Sequence, residues 1–366
     1  MNKNNKNRLV ILVFSLMIVI LVGCDFSFAN DINTENNSEE IIPLYQKFSS
    51  DFPIGAAVSR WTLSSHKDIL EKHFNSLTAE NEMKFSSLQP SENNFNFNDA
   101  DRLISFAKEN NMKVRGHVLV WHNQTPGWVF EDGSGNQVSS EVLLQRMEDH
   151  INKVVKRYDD DIYAWDVVNE AISDSEDEFY RDSPYYSILG EDYIRKAFEL
   201  ARSADPDAKL FYNDYNAVQP VKRDKIHQLL KDLIDDGVPI DGVGIQAHWD
   251  IYWPSISDIK EAIEMYSDLG LEVQITELDL SLFSWGDDTS YEEPPAELLD
   301  IQAKRYKDLF ALFQEYNDVI TAVTLWGVAD DSTWLDNYPV ENRDNWPLLF
   351  DEDHQPKKAY WELMDL

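Results

Sequence analysis

The sequence predicts a single (β/α)8 barrel of the α/β class, and three observations predict it. Short apolar runs dense in β-branched residues alternate with stretches at helical spacing, the pattern of repeated βα units around a parallel sheet. Eight runs of each kind follow one another within 366 residues, the length of one such barrel. Polar and aromatic residues gather just after the C-terminal ends of the apolar runs, on the face where these barrels carry chemistry.

The strands are expected at Ile54–Val58, Asn75–Thr78, Lys113–Val120, Ile162–Asn169, Lys209–Tyr212, Gly242–Gln246, Glu272–Leu278 and Thr321–Trp326. Helices are expected at Leu63–Phe74, Ala100–Asn110, Val142–Tyr158, Tyr193–Ala204, Asp224–Asp235, Ser257–Leu269, Leu298–Tyr316 and Lys357–Leu366. In the third helix Leu143, Met147, Ile151, Val154 and Tyr158 recur at spacings of three or four and form one apolar stripe to lie on a sheet. Ile226, Leu229, Leu230, Leu233 and Ile234 repeat the design in the fifth.

Composition narrows the function. The formal charge of −35 repels nucleic acid and anionic lipid headgroups but not a neutral polymer. So large an excess of acid serves solubility, or adaptation to salty surroundings, where screening relieves the self-repulsion. Eleven tryptophans exceed the needs of a core this size and suit stacking on sugar faces.

At the N-terminus Lys3, Lys6 and Arg8 precede an apolar run from Leu9 to Val22, which fits a secretory signal over residues 1–23 and is too short for a comfortable membrane span. The run closes on Leu21-Val22-Gly23-Cys24, which resembles the bacterial lipobox and makes Cys24, the only cysteine, the expected lipid-bearing residue. Export to the cell envelope as a lipoprotein is expected, with simple cleavage and secretion as the alternative. Residues 24–42 read as an acidic tether and 43–366 as the catalytic domain.

Two runs end on carboxylic acids: Ile162–Ala171, I-Y-A-W-D-V-V-N-E-A, carries Glu170, and Leu271–Leu280, L-E-V-Q-I-T-E-L-D-L, carries Glu277. Two glutamates at the ends of separate strands suit glycoside hydrolysis, one as proton donor and one as nucleophile. Glu170, with Asn169 beside it, is expected to point as Asp166 and Val168 do; at the rim of an apolar barrel its pKa is expected to rise toward that of a useful acid. Glu277 is the expected nucleophile, sharing parity with Val273 and Ile275, and His248, oriented by Asp279, is expected to hydrogen-bond it. Glu80, Asn81 and Lys84 offer an acceptor, an amide and a donor for sugar hydroxyls, while Trp121, Trp326, Trp334 and Tyr215 offer stacking faces. His117, His122 and His248 with nearby carboxylates are a conceivable zinc set, but no H-E-x-x-H or i, i+4 histidine pair occurs, so no metal and no cofactor are expected.

From about Pro43 onward the chain resembles glycoside hydrolase family 10, the endo-β-1,4-xylanases. The matching motifs are T-A-E-N-E-M-K (Thr78–Lys84), R-G-H-V-L-V-W-H (Arg115–His122), W-D-V-V-N-E-A (Trp165–Ala171), Y-N-D-Y-N (Tyr212–Asn216), G-I-Q-A-H (Gly244–His248), I-T-E-L-D (Ile275–Asp279) and L-W-G-V-A-D-D-S-T-W (Leu325–Trp334). The resemblance implies a retaining double displacement on xylan and xylo-oligosaccharides by a monomer. Glu277 would attack the anomeric carbon and Glu170 would act as acid and then base. It also implies glycone contacts from Glu80, Asn81, Lys84, His117, Trp121, Asn169, Gln246, His248, Trp326 and Trp334, with Tyr215 on the aglycone side and Asp166, Asp279 and His122 in support. Phe85 and Asn94 depart from residues common in the family. The acidic stretch Ser281 to Glu297 reads as a solvated loop, with a calcium site or substrate-contacting flap as alternatives. Two rival functions remain: a cellulase on a similar barrel, and a non-catalytic glycan-binding lipoprotein, which would be expected to lack one of the two glutamates.

Overall fold

The computed structural model describes residues 41–366; the expected signal segment, Cys24 and the tether up to residue 40 lie outside them. Eight parallel strands close on themselves: β1 (Ile54–Val58), β2 (Ser76–Ala79), β3 (Lys113–Gly116), β4 (Ile162–Asn169), β5 (Lys209–Asp214), β6 (Gly242–Ile245), β7 (Glu272–Ser281) and β8 (Ile320–Leu325). β8 pairs back onto β1 with Ile54 opposite Val323, which closes the barrel. Buried on both faces, the strands read as near-continuous apolar runs rather than alternating ones, which is why they were visible in the sequence.

The principal helices are α1 (Lys67–His73), α2 (Asn98–Glu109), α3 (Ser140–Val155), α4 (Asp192–Ala204), α5 (Pro220–Asp235), α6 (Ile256–Ser267), α7 (Ala296–Glu315) and α8 (Lys358–Met364). Leu143, Met147, Ile151 and Val154 of α3 are buried as their spacing predicts. Tyr158 is buried past the helix end, where its hydroxyl donates to Asp101 Oδ1 at 2.9 Å. Ser139 and Ser255 cap α3 and α6 by accepting from the backbone N–H three residues on.

Among the boundaries that differ from expectation, three have a visible cause. The first helical run breaks at His66 into a turn over Thr62–Ser65 and α1, because His66 leaves helical backbone geometry (φ −108°, ψ 19°). α5 begins at Pro220, whose fixed φ and missing N–H suit a first helical position. The third strand stops at Gly116; a cis peptide joins His117 to Val118, and pairing resumes at Val120–Trp121 against β4.

The barrel interior beneath the mouth is polar. Arg115 of β3 forms a fully buried ion pair with Asp166 of β4, with Nη2 to Oδ1 at 2.5 Å, and its Nε donates to Gln274 Oε1 of β7 at 2.8 Å. A buried pair survives when its remaining polar atoms also find partners. Here Asp166 Oδ2 also meets His117 Nδ1 at 2.9 Å, so the pair doubles as a support for a mouth residue.

Candidate active site

Glu170 sits immediately beyond β4, but not by simple alternation. Against β5 the register shifts between Asp166 and Val168, so Val167 is an extra residue and Asn169, not Val168, comes opposite Asn213. Glu170 then takes left-handed backbone (φ 59°), unusual for a residue with a Cβ. Neighbours fix that conformation. Its N–H donates to the Asn213 carbonyl at 2.9 Å, and its own carbonyl accepts from Arg181 Nε at 2.9 Å. The next two N–H groups, of Ala171 and Ile172, donate to the Tyr212 hydroxyl. Adjacent residues Asn169 and Glu170 therefore both face the mouth, which corrects the parity expected with Val168.

Glu277 departs from alternation as well. Gln274 and Thr276 of β7 turn inward onto Arg115 and Asn213, so strict alternation sends Glu277 outward with Val273 and Ile275. The register against β8 shifts between Val323 and Leu325, and Glu277 turns into the mouth instead. The expected parity is thus wrong while the expected location holds, and the irregularity is the reason.

The two carboxylates are joined through amides. Asn169 Nδ2 and Gln246 Nε2 each donate to Glu170 Oε1 at 3.1 Å, and Trp121 Nε1 donates to its Oε2 at 2.9 Å. Asn213 Nδ2 donates both to Asn169 Oδ1 at 2.9 Å and to Glu277 Oε1 at 2.8 Å. Thr276 orients Asn213 by donating to its Oδ1 at 2.7 Å. A side chain at position 244 would occupy that amide's place, since a Cβ there falls 2.2 Å from Asn213 Oδ1; Gly244 leaves the room.

Electrostatics hold Glu277 ionised. Burial opposes the charge of Glu277, but the His248 hydrogen bond, the charges of His117 and His248 and the Asn213 amide outweigh it and lower its pKa to about 2. Burial also disfavours protonated His248. Asp279, by charge and hydrogen bond, and then Glu277 reverse this and raise it to about 10. His248 is therefore an imidazolium at neutral pH. It donates from Nε2 to Glu277 Oε2 at 3.1 Å and from Nδ1 to Asp279 Oδ2 at 2.9 Å. Trp334 Nε1 also donates to Asp279 Oδ2, at 2.8 Å, so the chain Trp334–Asp279–His248–Glu277 holds an ionised carboxylate in place.

The remaining expected residues ring the mouth. Lys84 Nζ donates to Asn81 Oδ1 at 3.0 Å, Asn81 Nδ2 donates to Glu80 Oε1 at 3.2 Å, and Lys84 lies 4.8 Å from the centre of the Trp121 ring. Burial raises the Glu80 pKa against the pull of Lys84; it lowers that of Lys84 against Glu277, Glu80 and Glu170. Trp326 has His117 and His248 at its edges, with ring centres 5.4 and 6.1 Å away, and Trp334 lies 4.9 Å from His248. His122 stands 4.0 Å from Glu170, and burial lowers its pKa. The three candidate zinc histidines do not converge: His117 meets Asp166, His122 faces Glu170, and His248 spends both nitrogens as donors.

Tyr215 stands apart from both carboxylate side chains. Its hydroxyl bonds Asp174 and accepts from Arg181 Nη2 at 2.5 Å, while Lys222 Nζ lies 3.5 Å from its ring centre. Through Arg181 this cluster reaches the Glu170 backbone. Asn213 and Thr276 stood within the motifs read from the sequence but were given no role, and Arg181 and Asp174 were not singled out at all. Asn213 carried a signal, two residues after inward-facing Phe211 at the end of its strand; Arg181 and Asp174 lie in a loop whose path no periodicity reveals.

The sequence profile described as Glycosyl hydrolase family 10 matches residues 43–366. The chain belongs to glycosyl hydrolase family 10. Among its relatives in this family, the endo-1,4-beta-xylanase B of Paenibacillus barcinonensis is 51% identical over 328 residues, covering 89% of this chain and 99% of that protein. The endo-1,4-beta-xylanase A of Caldicellulosiruptor saccharolyticus is 51% identical over 326 residues, covering 88% and 95%. Among solved structures, xylanase XynB from Paenibacillus barcinonensis, complexed with a conduramine derivative, superposes with a TM-score of 0.88 at 50% identity, covering 89% of this chain and 99% of that one. A mutant protein in complex with xylotriose gives 0.87 at 50% identity, covering 89% and 100%. The family 10 barrel thus spans the whole described chain from about Pro43, and the protein is a glycoside hydrolase.

Proposed function

We propose that the protein is an endo-1,4-β-xylanase that cleaves internal linkages of xylan with retention of configuration, acting as a monomer. The observation that carries this is the asymmetric pair: Glu277 is held as a carboxylate by the His248 imidazolium, and Glu170 meets it across a bridge of amides. A carboxylate held ionised is ready to attack an anomeric carbon, while Glu170 donates a proton to the departing glycosidic oxygen. The glycosyl bond to Glu277 is then cleaved by water, from which Glu170 takes a proton. Glu80, Asn81 and Lys84 grip glycone hydroxyls, Trp326 and Trp334 pack on the sugar, and Tyr215 faces the aglycone. The relatives' names support xylan as the substrate.

Side-by-side hydrolysis of xylan and carboxymethylcellulose tests the substrate, because the hydroxymethyl group of glucose has to pass Trp326 and Trp334. Release of reducing sugar from xylan at least tenfold faster supports the proposal; equal rates support the cellulase reading. Proton NMR of the first product tests the stereochemistry, with the β-anomer expected before mutarotation. For the N-terminal segment we propose a lipoprotein signal over residues 1–23, with Cys24 as the lipid-bearing first residue of the mature chain. Incorporation of labelled palmitate that is lost in Cys24→Ala tests it, and a label that persists in the variant refutes it.

A further inference from the structure

A second constellation lies away from the two glutamates. His66, between the Thr62–Ser65 turn and α1, meets Asp331 in the segment after β8 and His354 in the loop before α8. His66 Nε2 is 2.7 Å from Asp331 Oδ1, His354 Nε2 is 3.3 Å from Asp331 Oδ2, and the two imidazole rings are 4.3 Å apart. One potential donor atom from each residue lies within 4.8 Å of the other two. Donor atoms around a tetrahedral zinc ion stand about 3.3 Å apart, given zinc–nitrogen and zinc–oxygen bonds of about 2.0–2.1 Å, so only small side-chain adjustments separate this cluster from a coordination shell.

His66 is anchored from its far side. Its Nδ1 lies 2.7 Å from Ser65 Oγ, and that hydroxyl is also 3.1 Å from the Trp61 carbonyl. With the hydroxyl hydrogen on that carbonyl, Ser65 Oγ accepts from Nδ1 and the lone pair of Nε2 faces Asp331, the arrangement that orients a histidine ligand. His66 is 3% exposed while His354 and Asp331 are about one-third exposed, so the cluster has a buried anchor and an open side.

We propose that His66, Asp331 and His354 form a binding site for one Zn2+ ion, with a water as the fourth ligand. Two imidazoles and one carboxylate suit zinc, whereas calcium and magnesium prefer an all-oxygen shell. The ion would join the segment after β1 to the β8–α8 connection, which also carries Trp334 at the mouth. Its role is to brace that connection, and it does not depend on the identity of the polysaccharide.

The test uses the full-length protein stripped with chelator and then titrated with Zn2+, with Ca2+ as control. The expected result is one Zn2+ bound per chain and a melting temperature raised by about 3–5 °C at free zinc a hundredfold above its Kd. His354→Ala and, separately, Asp331→Asn should weaken that binding at least tenfold and abolish the rise, while both stripped variants hydrolyse glycan within twofold of the unsubstituted protein. Co2+ in place of Zn2+ should give the intense visible absorption of tetrahedral cobalt, and His354→Ala should lose it. Equal stabilisation by Ca2+, undiminished binding by both variants, or no stoichiometric uptake overturns the site and leaves a hydrogen-bonded histidine–carboxylate cluster.

Discussion

Glu170 and Glu277 have the same side chain, and their surroundings assign them different work. Replacing Glu277 with Ala should lower kcat on xylan by at least about 10⁴-fold, since the covalent step loses its nucleophile; azide should restore turnover and yield a glycosyl azide of inverted configuration. Glu170→Ala should lower the rate on xylan by about 10²–10⁴-fold but spare aryl xylobiosides with good leaving groups, which need no proton. Steady-state kinetics on the two substrate classes separates these outcomes. His248→Gln removes the imidazolium that does most to hold the Glu277 pKa down near 2, so that pKa should climb toward its ordinary value of 4.5. The acid limb of kcat/KM should therefore move to higher pH in the variant. A limb that stays in place would show that His248 does not tune the nucleophile.

The strand ends explain how far the sequence could be read. All eight strands were legible because parallel strands covered on both faces are continuous apolar runs, and the mouth was legible because polar residues follow those runs. The side-chain directions of Glu170 and Glu277 were not, since each depends on a register shift that period-two counting does not contain. The Arg181–Asp174–Tyr215 cluster was hidden for a related reason: two of its members come from the loop after β4, whose bridge between Ile172 and Tyr180 no sequence periodicity announces. Left-handed backbone at Glu170 costs about 1–2 kcal/mol for a side chain with a Cβ. Glu170→Gly is accordingly expected to match or exceed Glu170→Ala in thermal stability, reversing the usual order, as scanning calorimetry would show. Gly244→Ala should displace the Asn213 amide and lower kcat by about tenfold or more while the barrel remains folded; unchanged kinetics would remove Asn213 from the bridge.

At the scale of the molecule, the acidic surface and the buried pair set the response to pH. Glu277, lowered to about 2 from 4.5, stabilises the fold above pH 4.5, and this contribution is lost as pH falls toward 2. His248, raised to about 10 from 6.5, stabilises it below pH 6.5, and this contribution is lost as pH rises toward 10. The melting-temperature difference between the protein and His248→Gln should therefore be largest between pH 4.5 and 6.5 and shrink on both sides. In the proposed mechanism the barrel brings β4 and β7 to one mouth with Glu277 as the attacking group. The most direct test is to incubate the protein with a 2-deoxy-2-fluoro-xylobioside bearing a good leaving group, then measure the intact mass and map the labelled peptide. The expected product carries one added 2-fluoroxylobiosyl unit, attached at Glu277. Full turnover with no adduct, or a label at any other residue, would contradict Glu277 as the nucleophile.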